Sequence, residues 1–229
     1  MVPYGLQIAT QPCMDPFIIF FLLVLIFSII IHEVSHGYAA EMLGDPTARL
    51  QGRLTLNPIP HIDIVGSILV PAILVFANAG FLFGWAKPVP YNPYNLRNQK
   101  WGEAIVAAAG PGVNILLAIV FGLVVRFGVG ELSLAFIQLA SMVVLVNIML
   151  AVFNLLPIPP LDGSKVLRSA LPLRANLAYQ KLEALIMSGG FLVMLLAFWV
   201  ILQVLGPFIY TAFSFLFTLL TGIPLGAVL

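Results

Sequence analysis

Charge is what this sequence has least of. Only 8% of its residues are Asp, Glu, Lys or Arg, against roughly 25% in soluble domains. That scarcity excludes an ordinary water-soluble globule, and a net charge of +1 gives no basis for binding nucleic acid. Cysteine is nearly missing as well. The single Cys13 excludes an internal disulfide framework and a cysteine cage for a metal ion, and it reads as a small apolar residue ahead of the first span. No internal repeat or low-complexity tract is present. No basic segment precedes the first apolar run, so that run is expected to stay in the protein as a span and not to be cleaved as a leader.

What is there is apolar: 61% of the residues are hydrophobic and the mean hydropathy is +1.08. The expected fold is an all-α integral membrane protein in the lipid bilayer. It should be a polytopic bundle of about five to six membrane segments forming one domain over residues 1–229, with a core at about 17–170 and C-terminal spans at about 188–222.

The first span, 17–40, reads FIIFFLLVLIFSIIIHEVSHGYAA. At helical rise it covers roughly 36 Å, enough to cross a bilayer. Its last turns carry His32-Glu33-Val34-Ser35-His36. Ionisable groups at membrane depth are costly and need partners. His32 and His36 are four residues apart, so both imidazoles leave one helix face and can bind one Zn²⁺ per chain. Glu33 sits on the neighbouring flank, where a carboxylate can take a proton from water activated by that ion. Two of only three histidines in the chain fall at this spacing.

Gly44-Asp45-Pro46 ends this helix. The alternation of Arg49-Leu50-Gln51-Gly52-Arg53-Leu54-Thr55-Leu56 predicts a short membrane-associated β-hairpin over 49–56. Asn57-Pro58-Ile59-Pro60-His61 is a proline-locked turn that brings His61 and Asn57 close, in sequence, to the histidine pair. The segment 64–83 is long enough to span but is interrupted by Gly66, Pro71, Asn78 and Gly80. A polar, proline-rich loop follows over 84–100. Residues 104–125 form a span containing Gly110-Pro111-Gly112-Val113-Asn114, and 133–156 another, with Asn147 and Asn154. The prolines of Asn154-Leu155-Leu156-Pro157-Ile158-Pro159-Pro160-Leu161-Asp162-Gly163-Ser164 leave Asp162 on unwound backbone. Lys165, Arg168, Arg174, Lys181 and Glu183 mark an interfacial helical segment. The final apolar runs, 188–205 and 207–220, are expected to break at Gly206-Pro207.

Charge placement orients these elements. If 17–40 and 133–156 run in one direction and 104–125 in the other, then Arg49, Arg53, Lys87, Arg97, Lys100, Lys165, Arg168, Arg174 and Lys181 all fall on one, cytoplasmic, side. Segment 64–83 then starts and ends on that side, which predicts a re-entrant hairpin bent near Pro71 or Asn78.

A catalytic zinc usually has three protein ligands. The third candidates are Asp162, Glu41 and Asp45, with a solvated role sufficing for the last two. Asp162 also suits a helix N-cap.

HEVSH in an N-terminal span, GPGVN in a middle span and NLLPIPPLDG after the next together resemble the site-2 protease family, in its short prokaryotic form without a PDZ or CBS domain. The resemblance covers roughly 17–168. It implies an intramembrane zinc metalloprotease acting in regulated proteolysis on transmembrane protein or peptide substrates. The site would lie near the cytoplasmic side of a prokaryotic cytoplasmic membrane. It also implies that His32, His36 and Asp162 bind zinc, that Glu33 is the general acid/base and that Asn154 lies beside the site. His61, Asn57 and Asn114 are candidates for contacting the ligands or the substrate. Ser164 departs from the glycine common at its position, and 64–100 lengthens the link between the first core helices. A catalytically silent membrane-protein binder and a metal-ion transporter are the competing readings. Retention of Glu33 disfavours the first, and the missing repeat the second. Oligomeric state is left open by the sequence.

Overall fold

The computed structural model describes residues 16–77 and 84–227; Cys13, Asn78 and Gly80 lie outside them. Helix α1 (Pro16–Met42) is the first span. A single helical turn, α2 (Thr47–Leu50), follows it. Residues 64–69 form a π-helical turn that continues into the short α3 (Val70–Phe76). Then come α4 (Gly102–Gly128), α5 (Leu134–Asn154), α6 (Asp162–Ala170), α7 (Leu173–Ser188) and α8 (Gly190–Thr221). Pro16–Met42, Gly102–Gly128, Leu134–Asn154 and Gln203–Thr221 are each long and apolar enough to cross a membrane. This is an integral membrane protein with four such helices among the described residues, and a shorter apolar helix at Ile64–Phe76.

Three expectations need correcting. No strand occurs among the described residues, so the 49–56 hairpin is absent. The backbone instead closes α2 and a tight turn, with Leu50 N–H donating to Pro46 O and Arg53 N–H to Ala48 O. That turn drives Arg53 inward to 7% exposure, where a hairpin would have left it in solvent. Second, α8 does not break at Gly206-Pro207. It runs through Pro207, as proline-containing membrane helices can, and Thr211 Oγ1 donates to Pro207 O at 2.8 Å. Third, of the two expected bend positions, Pro71 sits in the first turn of α3 and continues the helix, while Asn78 lies outside the described residues. The segment does return to its origin, with Trp85 N–H bonding Gly66 O and Lys87 N–H bonding His61 O.

Helix α4 is the central post, packed against α1, α5, α6 and α8. Away from the histidines, Ala118, Val144, Ile148, Phe217 and Leu225 form the main apolar core. At the histidine end α6 is tied by Arg168, which pairs with Glu103 of α4 and, at 3.5 Å, with Glu183 of α7.

Asp45, expected to be solvated, is fully buried. Its carboxylate accepts from Thr47 Oγ1 at 2.6 Å, Asn92 N–H at 2.6 Å, Asn95 Nδ2 at 2.8 Å and Thr47 N–H at 3.3 Å. It thereby ties the loop at 92–95 to the end of α1. Burial alone would raise its pKa, but the Thr47 and Asn95 side chains and the two backbone amides outweigh that and hold it below the usual value. A depressed folded-state pKa contributes stability that is complete above the ordinary carboxylate value of about 4 and lost as pH falls through the folded value. Asp45→Asn is expected to cost about 2–4 kcal/mol at neutral pH. Thermal unfolding in detergent should show that gap between variant and wild type narrowing as the medium is acidified.

Candidate metal centre

The site is assembled from α1, α4 and α6. Helical spacing puts His32 and His36 on one face of α1, with ring centroids 4.7 Å apart. The first residue of α6, Asp162, turns Oδ2 toward both, 3.1 Å from His32 Nε2 and 3.2 Å from His36 Nε2. All three residues are buried, and one donor atom from each lies within 4.8 Å of the others. Two donors of a tetrahedral ion at bond lengths of about 2.0–2.1 Å are about 3.3 Å apart, close to what is seen.

The hydrogen-bond pattern suits a bound cation here. Asn147 Nδ2 donates to the Val143 carbonyl at 2.9 Å and to Ser28 Oγ at 3.0 Å, which fixes its Oδ1 as an acceptor. That oxygen receives Asn114 Nδ2 at 2.8 Å, so Asn114 Oδ1 must accept the His32 Nδ1–H at 2.5 Å. His36 Nδ1–H donates to the Val106 carbonyl at 2.7 Å. With the neutral rings protonated at Nδ1, both Nε2 atoms direct lone pairs at a carboxylate oxygen, an arrangement that a bound cation would bridge. A neutral imidazole held by its far nitrogen is how proteins orient a metal-ligating histidine. The space between the donors is kept clear by Gly110 of α4, where a Cβ would lie 2.6 Å from each Nε2. These residues fit one zinc ion.

On the far side of Asp162, Lys165 Nζ is 3.7 Å from Oδ1 and lies over the Tyr91 ring. Asp162 opens α6 while Leu161 takes the cap position.

Glu33 is half-buried beside the triad, and its Oε2 accepts the backbone N–H of Val89 at 2.9 Å. Asn114 is joined directly to His32, as described. Asn154, half-buried at the end of α5, donates Nδ2 to Leu150 O of its own helix at 2.9 Å. His61 is buried away from the triad, its ring N–H donating to Thr55 O at 2.9 Å. Asn57 is exposed and accepts from Ile59 N–H. Glu41 pairs with Arg49. Neither Glu41 nor Asp45 joins the metal group. The sequence reading found no role for Asn147, Ser28 or the Val106 carbonyl. The signal for the first two was present, since polar side chains in three different spans needed partners.

Asn114→Ala would leave His32 free to rotate and to change tautomer. Zinc affinity should drop about 10–100-fold, measured by competition against a calibrated chelator. An unchanged affinity would show that the Asn114–Asn147–Ser28 chain does not orient His32.

Comparison with known proteins agrees with this geometry. Residues 129–197, which include Asp162, match the model of peptidase family M50. The "Putative zinc metalloprotease YwhC" of Bacillus subtilis is 40% identical over 186 residues, 78% of this chain and 80% of that protein. The "Putative zinc metalloprotease Rip2" of Mycolicibacterium smegmatis is 31% identical over 59% of this chain and 51% of its own. The "Zinc metalloprotease MJ0392" of Methanocaldococcus jannaschii is 26% identical over 66% of this chain and 34% of its own. No solved structure gives a significant match. With 40% identity across most of both chains, and with two histidines and an aspartate converging between its helices, the chain belongs to peptidase family M50.

Proposed function

We propose that this membrane-embedded zinc metalloprotease hydrolyses peptide bonds within or next to the transmembrane segments of membrane-protein substrates, as in regulated intramembrane proteolysis. The observation that carries the reading is depth. His32 and His36 lie in the last turns of an apolar span, walled by α4, and Asp162 reaches them from the start of α6, so a scissile bond would come to the membrane to meet them. His32, His36 and Asp162 would hold the ion. When bound, zinc polarises a carbonyl and brings the pKa of water toward neutrality.

Glu33 takes a proton from the attacking water and returns it to the leaving amine. With Oε2 engaged by Val89 N–H, that proton travels on Oε1. Asn154 has a second amide hydrogen, beyond the one on Leu150 O, for the substrate backbone. A helical substrate keeps its carbonyls in internal hydrogen bonds, so it must unwind locally before cleavage. Basic residues such as Lys87, Lys165 and Arg168 gather at the metal end of the bundle, while Arg126 binds Leu219 O at the other. This supports a site near the cytoplasmic face of a prokaryotic cytoplasmic membrane.

The test is cleavage of a panel of tagged single-span polypeptides by the purified, detergent-solubilised protein. Cutting should stop when a chelator strips the metal and return with added zinc. Zinc-loaded protein that cuts an unfolded soluble protein but none of the spans would sink the membrane-substrate reading.

A further inference from the structure

We propose that the stretch 85–89 is a backbone brace that sets the carboxylate of Glu33, with Arg53 as the positioning residue that holds the brace. The proposal rests on Glu33 acting in the reaction.

The stretch has no helix or strand to hold it, yet its main chain is bonded at nearly every step. Trp85 N–H donates to Gly66 O at 3.1 Å, and Trp85 O accepts from Ser67 Oγ at 2.8 Å. Lys87 N–H donates to His61 O at 2.9 Å. Arg53 Nη2 donates to Lys87 O at 2.8 Å and to Pro88 O at 3.2 Å. The last bond is Val89 N–H to Glu33 Oε2 at 2.9 Å. Pro88 and Pro90 flank that amide. Each fixes its own φ and biases the residue before it toward extended backbone, so the N–H between them is the lone donor there and is held in one direction.

The side chain of Val89 supplies the second anchor. Val89 is 5% exposed and lies over Gly37, where a Cβ would come within 2.8 Å of Val89 Cγ1 and 2.5 Å of Leu54 Cδ2. Glu33 and Gly37 are one helical turn apart and share a face of α1. The stretch therefore crosses α1 at two levels, seating on the glycine and donating to the glutamate.

Arg53 is the element that needs explaining. It is buried, its Nε has no partner, and it makes no ion pair among the described residues. A buried guanidinium that meets only carbonyls is costly. What it achieves here is to hold two consecutive carbonyls immediately before the amide that meets Glu33. A glutamate carboxylate on three rotatable bonds would otherwise sweep an arc beside the metal group, and misplacement by about 1 Å can cost about 100-fold in rate.

The experiment compares Val89→Pro, which deletes the donor, with Val89→Ala, which trims the side chain and keeps the donor, and with Arg53→Gln. Each is assayed with a single-span polypeptide that wild type cuts, with bound zinc and Tm measured beside it. Val89→Pro and Arg53→Gln should keep their zinc, with kcat down roughly 10–100-fold and KM within about twofold. Val89→Ala should lose less than Val89→Pro. A merely structural role would instead take zinc, Tm and KM together. Independently of activity, hydrogen exchange at the Val89 amide should speed up at least about tenfold in Glu33→Ala. Full-rate cutting by zinc-loaded Val89→Pro, or Val89 exchange indifferent to Glu33→Ala, overturns the proposal. If wild type cuts nothing, the protease reading fails by itself, and the exchange result alone decides whether the brace exists.

Discussion

Glu33→Gln is expected to keep its zinc and lose its cut. The substitution is nearly isosteric, and a glutamine carbonyl can still accept the Val89 N–H that now bonds Oε2. Neither imidazole nor Asp162 depends on it for a hydrogen bond. What disappears is the basic oxygen that can accept a proton near neutral pH. General acid–base groups are worth about 10²–10⁴ in rate, and the loss should fall in that range with zinc content unchanged. Initial rates on a cleavable single-span polypeptide, normalised to bound zinc, make the measurement. A variant that cuts at more than a tenth of the wild-type rate with full zinc would place the base elsewhere.

Gly110→Ala should do the reverse and remove the metal. Val106, Gly110 and Asn114 are spaced by one turn on a single face of α4. Val106 and Asn114 hold the outer nitrogens of His36 and His32, and the glycine leaves room between them for what the inner nitrogens bind. A methyl at 110 would meet His32 Nε2, His36 Cε1 and His36 Nε2 all at 2.6 Å, closer than real Cβ contacts allow. The rings cannot retreat, because their other nitrogens are bonded to the same helix on either side. Alanine is the better helix former by about 1 kcal/mol, so α4 itself should not suffer. Bound zinc is expected to fall to background and cleavage with it. Gly112→Ala is the internal control: no atom lies within 4 Å of its added methyl, and its zinc should be retained. Equal zinc in both variants would refute the assigned role of Gly110.

These two predictions also show where the sequence was readable. The histidine pair and Glu33 were legible because helical spacing is local, so four residues apart means one face whatever surrounds it. Asp162 lies 130 positions from His32; no local pattern links the two, and it stood out first as the carboxylate on proline-broken backbone on the side that the charges indicated, with the resemblance adding to that. The failures share a cause. Alternation over 49–56 is too short a run to separate a strand from a helical turn followed by a bend, and Arg53 looked like a surface residue until the fold turned it inward. The stretch 85–89 carries no periodic signal, because its partners are single groups scattered over Glu33, Arg53, His61, Gly66 and Ser67. Asn114, Asn147 and Ser28 were visible one by one as polar residues in spans. Their connection is a property of packing among α1, α4 and α5.

The separation between His32 and Asp162 has a consequence for biogenesis. The two imidazoles leave the ribosome long before the carboxylate, by on the order of ten seconds at ordinary elongation rates. During that interval the nascent chain offers a cation only a bidentate, low-affinity perch. High-affinity loading has to wait until α5 has crossed and α6 has docked through Arg168 onto Glu103. Acquisition of the ion thus reports that the membrane core has assembled, and hydrolytic competence arrives last, when a half-inserted copy can no longer release it early among its neighbours.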